Sequence, residues 1–178
     1  SKDPNQASNK QSPVFCTQRL QVRQWRASDE PSLLDVYGDR EVVRWVDDGE
    51  PLSAEEAARW MTVTRANYAR YGYGMYAIED LTGARVLGFG GLVLPNEQVD
   101  AEVKYAFLPE VWRQGLATEF VRGLVRHGRD VHRLTRIIAT VAQPNLPSQN
   151  VLRKCGFRYS HTRDEEDGGA TVVLVWEP

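Results

Sequence analysis

Residues 105–120, YAFLPEVWRQGLATEF, bring together residue types that can hold a phosphate. Phe107 and Leu108 end an apolar strand, and Pro109 stops its hydrogen-bond ladder. A short loop then runs through Arg113, Gln114, Gly115, Leu116, Ala117 and Thr118 into a helix. The first amides of a helix lack acceptors within it, and the helix dipole places partial positive charge there. Gly115 lets the backbone approach a ligand closely and Arg113 adds a full charge, so the segment predicts a pyrophosphate cradle. It has neither the Gly-Lys-Ser/Thr of a Walker A loop nor the GxGxxG of a dinucleotide fingerprint. An ordinary helix start with an arginine in the preceding loop fits the same residues.

A cradle of this kind needs a strand to deliver the loop and a helix to receive it. Leu20, Val22 and Trp25 in QRLQVRQW predict a first strand, and Ser28 and Asp29 cap a short helix over PSLLDVY. RWVDDGEPL breaks regular structure at Gly49 and Pro51. Ser53, with Glu56 three residues on, predicts a capping box for a helix that runs to about Tyr71 and stops at Gly72. MYAIED, RVLGFGGLVL and VDAEVKYAFL read as three strands of an antiparallel meander, joined by turns at LTGAR and PNEQ. An amphipathic helix follows from about Gly115 to His127, with Ala117, Phe120, Val121, Leu124 and Val125 on one face. RIIATVA is the next strand. Asn145 caps a helix that runs through Lys154 and ends at Gly156, and FRYSHT and TVVLVWE close the chain as a hairpin. The order β-α-α-β-β-β-α-β-α-β-β is mixed α/β, with one strand-helix-strand crossover after a largely antiparallel block.

The 178 residues suit one domain, expected over 18–178 behind a flexible polar arm at 1–17. A net charge of −2 argues against a nucleic-acid partner, which usually leaves a basic footprint. No apolar run approaches the roughly 18 residues that cross a bilayer, so no membrane partner is expected and the cytoplasm is the expected location. Cys16 and Cys155 do not make a disulfide framework. His127 and His132 lack the partners and spacing of a metal site, so no metal is expected.

WRQGLATE resembles the acetyl-CoA pyrophosphate loop of the GNAT N-acetyltransferases, whose pattern is Gln/Arg-x-x-Gly-x-Gly/Ala. Gly115 and Ala117 match its last two fixed positions, whereas Trp112 departs from its first and resembles the RimJ/RimL-like branch. AEVKY, residues 101–105, is similar to that branch's acidic fourth strand. NLPSQNVLRKCGF, residues 145–157, is similar to its Asn-x-x-Ser-x-x-Val-Leu-x-Lys-x-Gly-Phe signature. The resemblance implies a GNAT-type acyl-CoA N-acyltransferase fold, a central, mostly antiparallel twisted sheet flanked by helices. It implies acetyl-CoA as acyl donor and an amine acceptor, a peptide N-terminus or a small molecule, on a monomer or homodimer. A non-catalytic acyl-CoA sensor on the same fold is the reading from another class.

Under the resemblance, a neutral amine attacks the thioester directly, so the protein positions reactants, removes a proton and stabilises an oxyanion. Backbone groups of Ala106, Phe107 and Leu108 are expected to pair with pantetheine as an added strand would. Glu102 is the candidate general base; the competing reading is an ion pair with Lys104 on the same strand face. Asn145 is expected to hold the pantetheine arm. Ser148 is expected to donate a proton to the leaving thiolate, since Leu152 stands where many relatives carry a Tyr; the bland alternative is that Ser148 only satisfies its own helix turn. Trp45, Asp47 and Asp48 border the expected acceptor site, where an acidic loop would attract a protonated amine. A solvated connector fits that loop as well.

Overall fold

A computed structural model describes residues 12–178. The strands are β1 (Phe15–Cys16), β2 (Leu20–Gln24), β3 (Met75–Asp80), β4 (Val86–Val93), β5 (Ala101–Phe107), β6 (Ile137–Ala142), β7 (Arg158–Asp164) and β8 (Ala170–Trp176). The helices are α1 (Glu30–Tyr37), α2 (Arg40–Val43), α3 (Ala54–Tyr71), α4 (Leu116–Asp130) and α5 (Leu146–Lys154). One eight-stranded sheet runs in the order β1-β2-β3-β4-β5-β6-β8-β7. Every neighbouring pair is antiparallel except β5 and β6, which α4 joins as a crossover. This is the mixed α/β, mostly antiparallel architecture expected from the sequence.

Local signals explain most boundaries. Ser53 Oγ accepts the Glu56 amide at 3.2 Å and starts α3, which Gly72 ends in the left-handed region. The expected capping box is only half formed, because the Glu56 carboxylate takes the Ser53 hydroxyl at 3.0 Å. Asp29 differs from its expected capping role more sharply. Its carboxylate makes a buried two-pronged pair with Arg23, at 2.8 and 2.7 Å, and caps nothing in α1. The expected arm over 1–17 falls mostly outside the described residues, but residues 12–17 do not read as an arm. Phe15 pairs with Val22 and its ring stacks on Phe120 at 6.2 Å, so apolar burial draws this segment onto the sheet.

Two apolar cores sit on opposite faces. Alternation along β5 sends Ala101, Val103, Tyr105 and Phe107 toward α4, where Phe120, Val121 and Leu124 are fully buried. Burying each such side chain contributes about 1.5–3 kcal/mol. Gly90 on β4 makes room for this layer, since a Cβ there would come within 2.5 Å of the Phe120 ring. The other face packs Ala77, Phe89 and Ala106 against Leu33, Tyr37, Ala57 and Met61 of α1 and α3. Glu102 and Lys104 therefore point to the α1–α3 side, while Tyr105 points to the α4–α5 side. Among the described residues, no helix is long and apolar enough to cross a membrane.

Candidate functional site

β5 and β6 pair at Ala101↔Ile137 and Glu102↔Ile138 and then part. Beyond that point β5 has an open edge, and α4 begins just past its end. Leu108 N–H donates to Leu87 O at 2.9 Å, so alternation turns the backbone groups of Ala106 and Leu108 toward β4. The open edge is formed by Tyr105 and Phe107. Of the three residues expected to pair with an added chain, only Phe107 is so placed; Ala106 faces β4, and Leu108 spends its N–H on Leu87 and its carbonyl on the Val111 amide at 3.1 Å. Trp112 also reaches back, donating its indole N–H to Phe107 O at 2.8 Å and fastening the loop to the strand end.

The loop itself has the form of an anion cradle. Arg113 and Gly115 both take left-handed backbone, with φ of 62° and 77°. Gly115 adopts this without strain, and its missing Cβ leaves the approach to the helix open. Glu119 N–H is the first to bond inside α4, to Gly115 O, so the amides of Leu116, Ala117 and Thr118 have no acceptor within the helix. Gln114 presents its carbonyl to Arg19, which donates at 2.8 Å from the turn between β1 and β2. Arg19 is fixed by a 2.7 Å ion pair to Glu119 and has an Nη2 3.5 Å from where a Gly115 Cβ would lie. Burial raises the Glu119 carboxyl, but hydrogen bonds from Thr17 and Arg19 outweigh it and lower it on balance. Arg19 and exposed Arg113 thus place two cations at the start of α4, and only Arg113 was legible in the sequence.

Across the opening, Asn145 caps α5 by accepting the Ser148 amide at 3.4 Å, and its side-chain NH2 has no acceptor among the described residues. Ser148 Oγ lies 2.7 Å from the Tyr105 hydroxyl, joining α5 to β5 across the gap. Burial pushes the Tyr105 hydroxyl up to about 12, against a smaller opposing effect of the Ser148 hydrogen bond. Tyr105 went unnoticed in the sequence, although its odd position beside Val103 and Phe107 assigns it this face.

On the opposite face, Glu102 is 4% exposed. Its Oε2 accepts from Lys104 Nζ at 2.5 Å and from Thr140 Oγ1 at 2.8 Å, and its Oε1 accepts from Gln98 at 3.2 Å. The pair with Lys104 forms, but its carboxylate end is buried rather than solvated. Further along this face lies a small cavity of about 30 Å³, walled by Tyr37, Asp47, Asp48, Glu50, Glu56 and Trp60 among others. The Tyr37 ring meets Trp60 edge-on at 5.0 Å, and burial together with the charge of Asp47 raises the Tyr37 hydroxyl. Asp48 accepts the Glu50 amide at 3.0 Å, which shapes the loop. Trp45 is absent from these walls; its ring is exposed and covered by the Arg44 guanidinium at 4.8 Å. A broader cleft of about 580 Å³ near α1 has the mutually paired Arg23, Asp29 and Glu79 in its wall. Among the described residues, no group of three or more His, Cys, Asp or Glu is arranged to hold a metal ion.

The model of the acetyltransferase (GNAT) domain family matches residues 19–158. The uncharacterized N-acetyltransferase YoaA of Bacillus subtilis (strain 168) is 30% identical over 151 residues, covering 82% of this chain and 83% of its own. Two solved structures share the fold at low identity. RimL, the ribosomal L7/L12 alpha-N-protein acetyltransferase in complex with coenzyme A, superposes with a TM-score of 0.75 at 17% identity, over 93% of this chain and 98% of its own. Spermidine N-acetyltransferase from Vibrio cholerae, in complex with CoA and spermine, gives 0.75 at 16%, over 89% and 95%.

Proposed function

The chain belongs to the GNAT acetyltransferase family and is an acetyl-CoA-dependent N-acetyltransferase, and from that premise we propose that its acceptor is a primary amine carried on a cationic molecule. The observation that carries the reading is the opening between β5 and β6, with the start of α4 at its mouth and acidic groups on the face behind it. The residues fit the donor. Free amides at Leu116–Thr118, the cations Arg19 and Arg113 and the Cβ-free approach at Gly115 suit a pyrophosphate. The open edge at Tyr105 and Phe107 suits an extended amide-bearing arm, and the Asn145 side-chain NH2 offers that arm a donor.

Acetyl-CoA, when bound, supplies the acetyl group as an activated thioester. The chain's own residues then divide the work by face. Asp47, Asp48, Glu50 and Glu56 draw a cationic amine to the α1–α3 side. Glu102 takes the amine's proton, and Lys104, whose side chain is 43% exposed, is the group that yields the carboxylate oxygen to it. Ser148 faces the donor side and serves the leaving sulfur. Trp45 is proposed only as a rim residue, since it lies outside the cavity.

The ordered motifs support a RimJ/RimL-like branch, hence a protein N-terminal amine as acceptor. A small polyamine is the second reading, favoured by a cavity whose size fits an ammonium group better than a polypeptide. An acetyl-CoA assay against peptide N-termini and small polyamines tests both. Acetylation of a cationic amine supports the proposal. Turnover confined to neutral or acidic amines contradicts it.

A further inference from the structure

The contact between Tyr105 and Ser148 crosses the place where β5 and β6 part. Tyr105 comes from the donor face of β5 and Ser148 from the first turn of α5, and their oxygens are 2.7 Å apart. Whatever lies in the opening lies beside this pair. Each hydroxyl has one hydrogen, so the direction of the bond decides what the pair presents to a ligand. A phenol is the stronger donor and the weaker acceptor, because its oxygen lone pair is shared with the ring. The favoured arrangement has Tyr105 O–H donating to Ser148 Oγ, which leaves the Ser148 hydrogen uncommitted. Among the described residues, neither hydroxyl has another side-chain or backbone partner.

We propose that Tyr105 is a positioning residue that, by donating to Ser148 Oγ, turns the Ser148 hydrogen into the opening between β5 and β6 toward the sulfur of the donor. The proposal rests on reading that opening as the donor site. As the carbon–sulfur bond breaks, its electron pair stays on sulfur, and the Ser148 O–H hydrogen-bonds the resulting thiolate. Tyr105 and Ser148 both keep their own protons, and the thiolate takes its final proton from water. A phenol held near 12 stays neutral throughout the working range, so the direction of the relay does not invert with pH. A purely structural Tyr105 would satisfy its own buried hydroxyl and do nothing to the sulfur.

The free thiol of bound CoA reports this directly, because a thiolate absorbs more strongly than a thiol in the short-wavelength ultraviolet and the change can be followed as a pH difference spectrum. In the parent protein, the thiol of bound CoA should titrate at lower pH than free CoA. Tyr105→Phe and Ser148→Ala should each move that titration back toward the free value and lower kcat roughly tenfold, the loss of one hydrogen bond to a charged group, with the affinity for CoA and the KM for the amine nearly unchanged. The double variant should be no worse than Ser148→Ala alone, since one residue acts through the other. A Tyr105→Phe protein that keeps its melting temperature, binds CoA and titrates and turns over like the parent overturns the relay alone. Additive losses in the double variant overturn it as well. Failure of the parent to bind CoA takes down the donor-site reading, and the relay with it.

Discussion

On the α4–α5 side of β5, Tyr105, the 113–118 loop, Asn145 and Ser148 are built from helix starts and a strand edge; on the α1–α3 side, Glu102, Lys104 and Thr140 form a paired cluster and a small cavity has carboxylates in its wall. The first side offers backbone amides, two nearby arginines and hydroxyls, fixed in place by caps and by the sheet itself. The second offers carboxylates, of which Glu102 is held by Lys104 and Thr140 and must be shared with a substrate. Under the proposed function, a donor with a phosphate and an extended amide chain would meet rigid geometry, whereas the acceptor would meet charge. Changes in the 113–118 loop should alter affinity for CoA and leave amine selection alone. Changes on the acceptor side should do the reverse.

Four experiments press on that division, from the largest expected effect to the smallest. Glu102→Gln should cut kcat about 100- to 10,000-fold while CoA affinity stays near the parent's. Near-normal turnover from pH 6 to 9 would reduce Glu102 to a structural partner of Lys104. Gly115→Val forces a β-branched side chain into left-handed backbone, a strain of about 1–2 kcal/mol, and places its bulk over the cradle beside Arg19. Calorimetry should show CoA affinity down by at least about tenfold, combining that strain with lost approach to the amides. Unchanged affinity would move the pyrophosphate elsewhere.

Asp47→Lys with Asp48→Lys should lower kcat/KM for a cationic amine by a few-fold at low salt, with the effect shrinking as salt rises and CoA affinity constant. Equal kinetics at low salt would leave the loop a connector. The smallest effect concerns stability near the end of α4. Burial lowers the imidazoles of His127 and His132 from their usual 6.5, and His132 Nε2 is buried with no partner among the described residues. Asp130 pulls His127 partly back, and the two rings meet at 5.1 Å. With folded values depressed, the unfolded chain binds more protons near pH 6, so their contribution is complete above 6.5 and is lost as pH falls below it. The melting temperature should drop between pH 7.5 and 5.5, and His132→Phe should narrow the drop; an equal drop in that variant would assign it to other groups.

Periodicity and punctuation made most of the framework legible. Met75–Asp80 was readable to the residue from its apolar run and flanking turn, and Ser53, Gly72, Asn145 and Gly156 mark helix ends in the structure as in the sequence. The start of α4 was legible too, because a helix start is a local event. What escaped was pairing at a distance. Arg19 meets Gln114 across 95 residues, Tyr105 meets Ser148 across 43, and Thr140 meets Glu102 across 38. No spacing rule encodes these contacts; they exist only once β6 pairs with β5 and α4 lies over the turn between β1 and β2. The backbone roles of Ala106 and Leu108 were misassigned for a related reason, since which strand edge faces a neighbour depends on register with β4. The Asp29 expectation failed because Arg23, six residues away, competes for the carboxylate more strongly than helix amides do.

Amide hydrogen exchange on the parent protein, with and without CoA, tests the division most directly, because it reads both faces in one experiment. CoA alone should slow exchange at Phe107 and at Leu116–Thr118, and leave residues 45–50 as they were. A cationic amine added afterwards should then slow exchange in 45–50. Protection by CoA confined to 45–50, or its absence from Leu116–Thr118, would contradict the placement of the donor and with it the account of the two faces.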